Sequence, residues 1–251
     1  MPYIYEPAGK AKEYADLALN LLDGCSHRCQ YCYAPGVLHR TREAMAHASP
    51  RNIDMRKLER EIKALRRGSE VFLCFTCDPY QPLEAKTRVT RRVIEMLHAH
   101  EVAARILTKA GRLSTRDFDL LSARPDLSAY GATLTFISPA SAKRWEPGAA
   151  SPISRLRALE KAHSLGIPTW ASLEPVIDPA QSLELIRTAA PFVDKFKVGR
   201  WNHDVRANGI DWRAFVKGAV ELLRERGKAY YVKLETRPYL PKGVAAEWAG
   251  R

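Results

Sequence analysis

No apolar run in this chain approaches the roughly 18 residues that suggest a membrane-crossing helix, so no membrane partner is expected. The opening residues, MPYIYEPAGKAKEYAD, lack a basic stretch followed by an apolar one. That pattern argues against a secretory signal, and a cytoplasmic location is expected. There is no low-complexity segment and no strict repeat period, which argues against solenoids and fibres. Cysteine is scarce. The count is five, an odd number, with three inside eight positions and two inside four. A secreted disulfide framework spreads and pairs its cysteines, so this clustering points to metal or redox chemistry. Acidic residues are also short, 28 against 40 Lys and Arg, for a net charge of +12. An excess of that sign suits a polyanionic partner, DNA or a nucleotide-like substrate, although the basic residues are dispersed. What is abundant is core material: 46% of residues are apolar and 27% charged, the balance of a globular chain.

Short apolar runs alternate with helical patterns along the chain. Strands are expected over residues 18–22, 71–76, 103–108, 131–137, 168–173, 195–198 and 230–234. Helices are expected over 54–67, 86–100, 115–122, 152–165, 180–190 and 211–226, with Asp54 as a cap and Gly166 as a stop. Such alternation predicts βαβ units and an α/β fold of parallel strands, a whole or partial TIM-type barrel. In barrels the reactive groups sit at the C-terminal ends of strands. Residues 1–234 are expected to form the barrel domain and 235–251 a C-terminal tail packing on it.

The first cysteine group reads Cys25-Ser26-His27-Arg28-Cys29-Gln30-Tyr31-Cys32, a C-x3-C-x2-C spacing directly after a predicted strand. Thiolates suit iron–sulfur clusters and zinc. Three of them satisfy three irons of a cubane and leave the fourth open to a ligand. A structural zinc site prefers four ligands, which Cys74, Cys77, His27 or His39 would have to complete. On that alternative the chain is a zinc-stapled nucleic-acid-binding module without catalysis. Cys74 and Cys77, three apart in a predicted strand, are expected on opposite faces and thus as poor partners for one metal or one disulfide.

Cys25, Cys29, Tyr31 and Cys32 together resemble the motif of the radical S-adenosylmethionine (SAM) superfamily. Further along, Thr76-Cys77-Asp78-Pro79-Tyr80-Gln81-Pro82-Leu83-Glu84, Leu107-Thr108-Lys109-Ala110, Glu146-Pro147 with Ser154-Arg155-Leu156, and Glu174-Pro175 resemble, in order, the spore photoproduct lyase-like branch. The chain departs from that branch at Cys77, where Thr is usual, and at Ala110, where Ser is usual. The resemblance implies a partial (β/α)6 barrel and a [4Fe-4S] cluster on Cys25, Cys29 and Cys32. It further implies SAM on the open iron, a 5′-deoxyadenosyl radical that abstracts hydrogen from substrate, and an electron donor of flavodoxin or ferredoxin type.

It also implies site residues. Tyr31 is expected beside adenine. Thr76 and Asp78 are expected at the SAM amino group, although Asp78 equally suits the start of an Asp-Pro turn. Lys109 is expected at the SAM carboxylate, and Thr133 or Thr135 at ribose or carboxylate. Cys77 is the expected catalytic hydrogen-atom donor. Ser172, Glu174, Lys197, Arg200, Trp201, Asn202 and Arg206 are weaker candidates for a substrate pocket. The resemblance favours DNA or a modified nucleobase as substrate, with a peptide, tRNA or small metabolite as the alternative.

Overall fold

The apolar runs become strands of one sheet in a computed structural model that describes residues 2–202 and 204–250. The strands are β1 (Leu17–Leu19), β2 (Leu22–Asp23), β3 (Ser49–Pro50), β4 (Glu70–Leu73), β5 (Ala103–Thr108), β6 (Ser128–Thr133), β7 (Thr169–Val176), β8 (Lys195–Arg200), β9 (Ala229–Val232) and β10 (Glu247–Trp248). The helices are α1 (Ala34–Val37), α2 (Arg42–Ala46), α3 (Met55–Lys63), α4 (Glu84–Thr87), α5 (Val89–Ala99), α6 (Phe118–Ala123), α7 (Pro139–Trp145), α8 (Pro152–Ser164), α9 (Pro179–Ala189) and α10 (Trp212–Glu225).

The main sheet runs β1-β4-β5-β6-β7-β8-β9-β10. Every neighbouring pair through β9 is parallel, and β10 pairs antiparallel to β9. β1 and β10 stand at the two ends of this order and do not pair with each other, so the barrel is partial; an isolated antiparallel bridge joins Tyr5 to Ala18 of β1. β2 and β3 form a separate two-stranded ladder. The segment Gly9–Glu13 links the two sides of the gap. Its Glu13 carboxylate accepts Leu234 N–H at 2.7 Å and Tyr231 O–H at 3.1 Å. After β9, Leu234–Tyr239 makes a 3-10 turn before β10 extends the sheet. No described helix is long and apolar enough to cross a membrane.

Period-two alternation divides the strand residues between two faces. Val71, Leu73, Ala104, Ile106, Phe196 and Val198 pack into the helical layer. Ala18, Phe72, Ala129 and Trp170 cluster on the concave face, with Tyr14, Phe75 and Leu107 against them. Gly131 shares that face, where an added Cβ would sit 2.3 Å from the Trp170 ring. Gly131→Ala is therefore expected to destabilise the fold by about 1–3 kcal/mol through overpacking. Urea denaturation of the two proteins measures it; equal midpoints would mean that the indole moves aside without penalty.

Several expected elements change at their ends. Asp54 does cap α3, accepting N–H bonds from Arg56 at 2.9 Å and Lys57 at 3.1 Å, but the helix stops at Lys63. The helix expected over 86–100 is two, α4 and α5, broken at Arg88 with φ 50°. Glu84 explains the break. Its buried carboxylate accepts Thr90 N–H at 3.1 Å and Thr87 O–H at 3.0 Å and pairs with Arg116 at 2.9 Å. It thereby satisfies an N-terminal donor of α5 from the preceding turn. The helix expected over 115–122 starts as a 3-10 segment, Gly111–Asp117, because buried Asp117 is tied to Arg91 and Arg116. The strand expected over 71–76 ends at Leu73, and Cys74 turns out of it with φ 70°. Thr76, Cys77 and Asp78 therefore lie in the loop beyond β4. The strand expected over 131–137 is Ser128–Thr133, so Thr135 lies past its end.

Candidate active site

The cysteine loop leaves β2 at the C-terminal side of the sheet and is held almost wholly through its backbone. Cys25 N–H donates to Met45 O at 2.6 Å, and Cys32 N–H to Cys29 O at 3.1 Å. The buried Gln81 amide clasps the start of the loop. Its Oε1 accepts Ser26 N–H at 2.9 Å, and its Nε2 donates to Gly24 O at 3.0 Å. The turn after α7 grips the other side, with Gln30 N–H to Trp145 O at 2.8 Å and Gly148 N–H to His27 O at 3.0 Å. Only glycine fits at 148, because a Cβ there would stand 2.1 Å from Ser26 O. Backbone anchoring of this kind leaves the three side chains available.

Cys25 and Cys32 are half-buried and Cys29 is buried, all as free thiols. Burial is the main influence that pushes the Cys25 and Cys29 thiols up, Cys29 to about 12. Cys29 raises Cys25, and Cys32 raises Cys29. Neutral thiols at pH 7 surrender their protons only to a metal, so metal loading here would release protons. Among the described residues, no three His, Cys, Asp or Glu side chains converge on one ion position. A cubane does not need that convergence, since each thiolate takes a separate iron. The donor set, three free thiols within eight positions of one loop, fits a [4Fe-4S] cluster with one iron left open.

Tyr31 points from this loop to the end of β6. Its hydroxyl donates to Glu146 Oε1 and lies 3.2 Å from Thr135 Oγ1. Glu146 in turn forms an ion pair with Arg155, both with side chains 2% exposed or less. Arg155 also donates to Thr133 O at 3.1 Å and Ala150 O at 3.0 Å. Burial opposes charge on both groups, but each holds the other ionised: Glu146 ends below the usual carboxylate range and Arg155 above its own.

Lys109, at the end of β5, has its ammonium 5.8 Å from the Tyr31 ring centre. Burial pulls the Lys109 ammonium down, yet Cys29 and Glu146 outweigh it and the net shift is upward. A charged lysine thus faces the cysteine loop. Thr133 and Thr135 are both buried, and Thr76 is half-buried. Asp78 joins three elements. Its carboxylate accepts Thr108 O–H at 2.6 Å, Tyr80 N–H at 2.8 Å and Lys109 N–H at 2.7 Å, and His27 Nδ1 stands 3.4 Å away. His27 is buried and burial lowers it, so it is neutral at pH 7.

The concave face carries a second polar group across the barrel. Glu174 receives Lys233 Nζ and the Tyr14 hydroxyl, both at 2.6 Å, and Asn202 Nδ2 at 3.4 Å. Ser172 lies 3.0 Å from the same Tyr14 oxygen. Lys197 donates to Glu13 O at 2.7 Å with its ammonium 4.4 Å from the Tyr14 ring centre. Arg200 instead stacks on Trp212 and Tyr239. Trp201 is buried edge-on against Trp145, and Arg206 covers both indoles at 4.8 and 4.9 Å. Of the weaker candidates, Ser172, Glu174 and Asn202 are thus brought together, Arg200 lines the same cleft as Glu174 and Asn202, and Arg206 lies instead over Trp145 and Trp201.

Burial, then Lys195 and Lys233, lower Lys197 to about 8, which outweighs the attraction of the Glu13 carboxylate. The unfolded lysine keeps its proton to about 10.4. Between the two values the unfolded chain binds more protons, so this group adds stability as pH rises from 7 to 10. Lys197→Met removes that rise. Urea denaturation of both proteins at the two pH values should show the wild type gaining on the variant; an unchanged gap would mean that Lys197 is solvated.

Sequence reading passed over four residues that build the site. Gln81, Glu146 and Arg155 occur in the recognised stretches but signal no role until their contacts are seen. Asn20 was visible as the lone polar residue in the run ALNLL. It is buried, and its Oδ1 accepts Phe75 N–H at 2.9 Å and Thr76 N–H at 3.1 Å, holding the loop beyond β4.

Comparison with known proteins agrees with this geometry. Residues 19–193 match the radical SAM superfamily. An uncharacterised protein, ORF301 of Acidianus two-tailed virus, is 29% identical over 194 residues, 72% of this chain and 63% of that protein. Spore photoproduct lyase, solved with AdoMet and a dinucleoside spore photoproduct, superposes with a TM-score of 0.63 at 18% identity, over 88% of this chain and 63% of that one. SuiB of Streptococcus suis, solved with S-adenosylmethionine, gives 0.66 at 13% identity, over 89% of this chain and 53% of that one. The chain therefore spans less than two thirds of the length of these relatives, and at such identities the two structures speak for the fold. A three-thiol loop at the mouth of a partial parallel barrel, and a family match across most of that barrel, place this chain in the radical SAM superfamily.

Proposed function

We propose that this chain is a radical SAM enzyme that acts on DNA or a modified nucleobase. The observation that carries the reading is the loop of Cys25, Cys29 and Cys32 beside the charged Lys109 and the braced Tyr31. A bound [4Fe-4S] cluster supplies an electron that splits SAM into methionine and a 5′-deoxyadenosyl radical able to take hydrogen from substrate. The chain's own residues bind and seclude. Cys25, Cys29 and Cys32 hold the cluster. Lys109 offers a cation to the SAM carboxylate, Thr76 and Asp78 line the amino-group side, and Tyr31, Thr133 and Thr135 line the nucleoside side. Glu174, Lys233 and Asn202 present a carboxylate, an ammonium and an amide across the barrel, matching the mixed donor and acceptor edge of a base. Cys77, half-buried in the loop beyond β4, is the hydrogen-atom donor to the product radical.

The reading of a nucleic acid draws on the +12 charge and on spore photoproduct lyase having been solved with a dinucleoside lesion. A base in a duplex would have to be turned out of the stack first. SuiB, solved with its precursor peptide SuiA, keeps a peptide substrate as the second reading. Five free cysteines suit the reducing cytoplasm, where a flavodoxin- or ferredoxin-type donor would supply the electron. The test is anaerobic reconstitution with iron and sulfide, reduction, addition of SAM, and quantification of 5′-deoxyadenosine with and without DNA. Product that rises with DNA supports both halves of the reading. Product indifferent to DNA moves the substrate to peptides, RNA or metabolites. No product from cluster-loaded protein that binds SAM would overturn the reading.

A further inference from the structure

Residues 36–44 are exposed without interruption, and from this stretch Arg42 reaches back to the cysteine loop. Its Nη1 donates to Cys29 O at 3.2 Å and its Nη2 to Cys32 O at 3.4 Å. One planar guanidinium thus spans the last two cysteines, a fork that an ammonium cannot reproduce. Arg42 opens α2, whose N-cap Thr41 accepts Ala44 N–H at 3.1 Å. Further along the same helix, Met45 O accepts the Cys25 N–H. Gly24 permits that approach, because a Cβ there would stand 2.2 Å from His47 O and 3.0 Å from Met45 O. α2, five residues long, therefore touches the backbone of all three cysteines and leaves their thiols free. Core packing does not account for Arg42: α2 buries only Met45, and Arg42 is exposed. Nor does an ion pair, since among the described residues no carboxylate pairs with this guanidinium and its bonds go to the two carbonyls. A full positive charge is left beside the loop.

We infer that Arg42 is a positioning residue whose charge, fixed by its fork on Cys29 O and Cys32 O, raises the potential at which the cluster accepts an electron. This role rests on the cluster reading above and adds what tunes that cluster from outside its ligands. The physical reason is the charge of the reduced form. Reduction adds one negative charge at the loop, and a nearby cation favours the state that carries it. Net charge and hydrogen bonding around a cluster are among the protein's main controls on its potential. The step is one electron in, from an external one-electron donor; no bond forms or breaks, and Arg42 keeps its proton throughout.

The test is a potentiometric titration of reconstituted protein with titanium(III) citrate, without SAM, reading the reduced cluster by electron paramagnetic resonance. Iron per chain is measured first on the same samples. Arg42→Gln removes the charge and keeps an amide donor; Arg42→Lys keeps the charge and loses the fork. All three proteins should carry the same iron. The Arg42→Gln midpoint should be more negative than that of the wild type, and Arg42→Lys should recover most of the difference. The role is overturned if Arg42→Gln titrates with the wild type, or if Arg42→Lys shifts as far as Arg42→Gln. Iron lost from either variant also overturns it, because Arg42 would then serve assembly of the cluster and not its potential. Wild-type protein that takes up no cluster sinks the reading above; a wild-type cluster whose potential ignores Arg42 sinks this role alone.

Discussion

Cys32→Ala is expected to reduce 5′-deoxyadenosine formation to the level seen without protein. Cys32 stands on a loop whose fixed contacts are backbone ones, Cys32 N–H to Cys29 O among them, and alanine keeps that bond. The thiol is half-buried. The variant should therefore fold like the wild type and lose one corner ligand of the cluster. Iron per chain after reconstitution should fall with activity. Mass spectrometry of the nucleoside and a colorimetric iron assay measure the two effects independently. Undiminished product would remove Cys32 from the ligand set and leave the loop without enough thiolates for a cubane.

The largest effect on stability is expected from Arg155→Ala. Arg155 is 1% exposed and Glu146 2%. Removing the guanidinium leaves a buried carboxylate with the Tyr31 hydroxyl and the charge of Lys109 as its remaining support and frees two backbone carbonyls, Thr133 O and Ala150 O. Breaking a buried pair from one side costs about 3–5 kcal/mol. In a chain of this size each kcal/mol lowers the melting temperature by roughly 2–4 °C. Replacing both partners, Glu146→Gln with Arg155→Met, should recover part of the loss, because no charge is then left uncompensated. The pH dependence follows from the sign of the Glu146 shift. Its folded-state value is depressed, so the pair's contribution is fully present above the unfolded carboxylate value of about 4.3 and is lost as pH falls through the lower folded value. The stability gap between wild type and Arg155→Ala should therefore narrow in acid. Denaturant titrations at neutral and acidic pH measure it; a gap that stays constant would assign the cost to lost packing.

The same pair shows why the site was only partly legible. The three cysteines could be read because their chemistry and spacing are local, eight positions on one loop. The parallel fold could be read from the alternation of apolar runs with helical periodicity, which each segment carries by itself. Glu146 and Arg155 could not, because their value lies in meeting Tyr31, which is 115 residues from Glu146 along the chain. Nor could the loop of Cys74 and Cys77. The run leading into it, VFLCFT, has the composition of a strand, yet β4 ends at Leu73 and the Asn20 side chain from the end of β1 holds Phe75 and Thr76 N–H. Asp78 reads equally as a turn former or a ligand. In the structure its oxygens are committed to Thr108, Tyr80 and Lys109, which fixes the ends of β4 and β5 relative to the cysteine loop.

By itself, then, the sequence determined the βα alternation, the three-thiol loop and the basic excess, since each is a property of neighbouring residues or of the whole composition. Tertiary structure alone decided which polar side chains meet: Tyr31 with Glu146 and Arg155, and Tyr14 with Glu174 and Lys233. Buried polar groups must find partners or forfeit their solvation, and those partners come from strands far apart in the chain. That requirement acts only once the sheet has curved and water has been excluded.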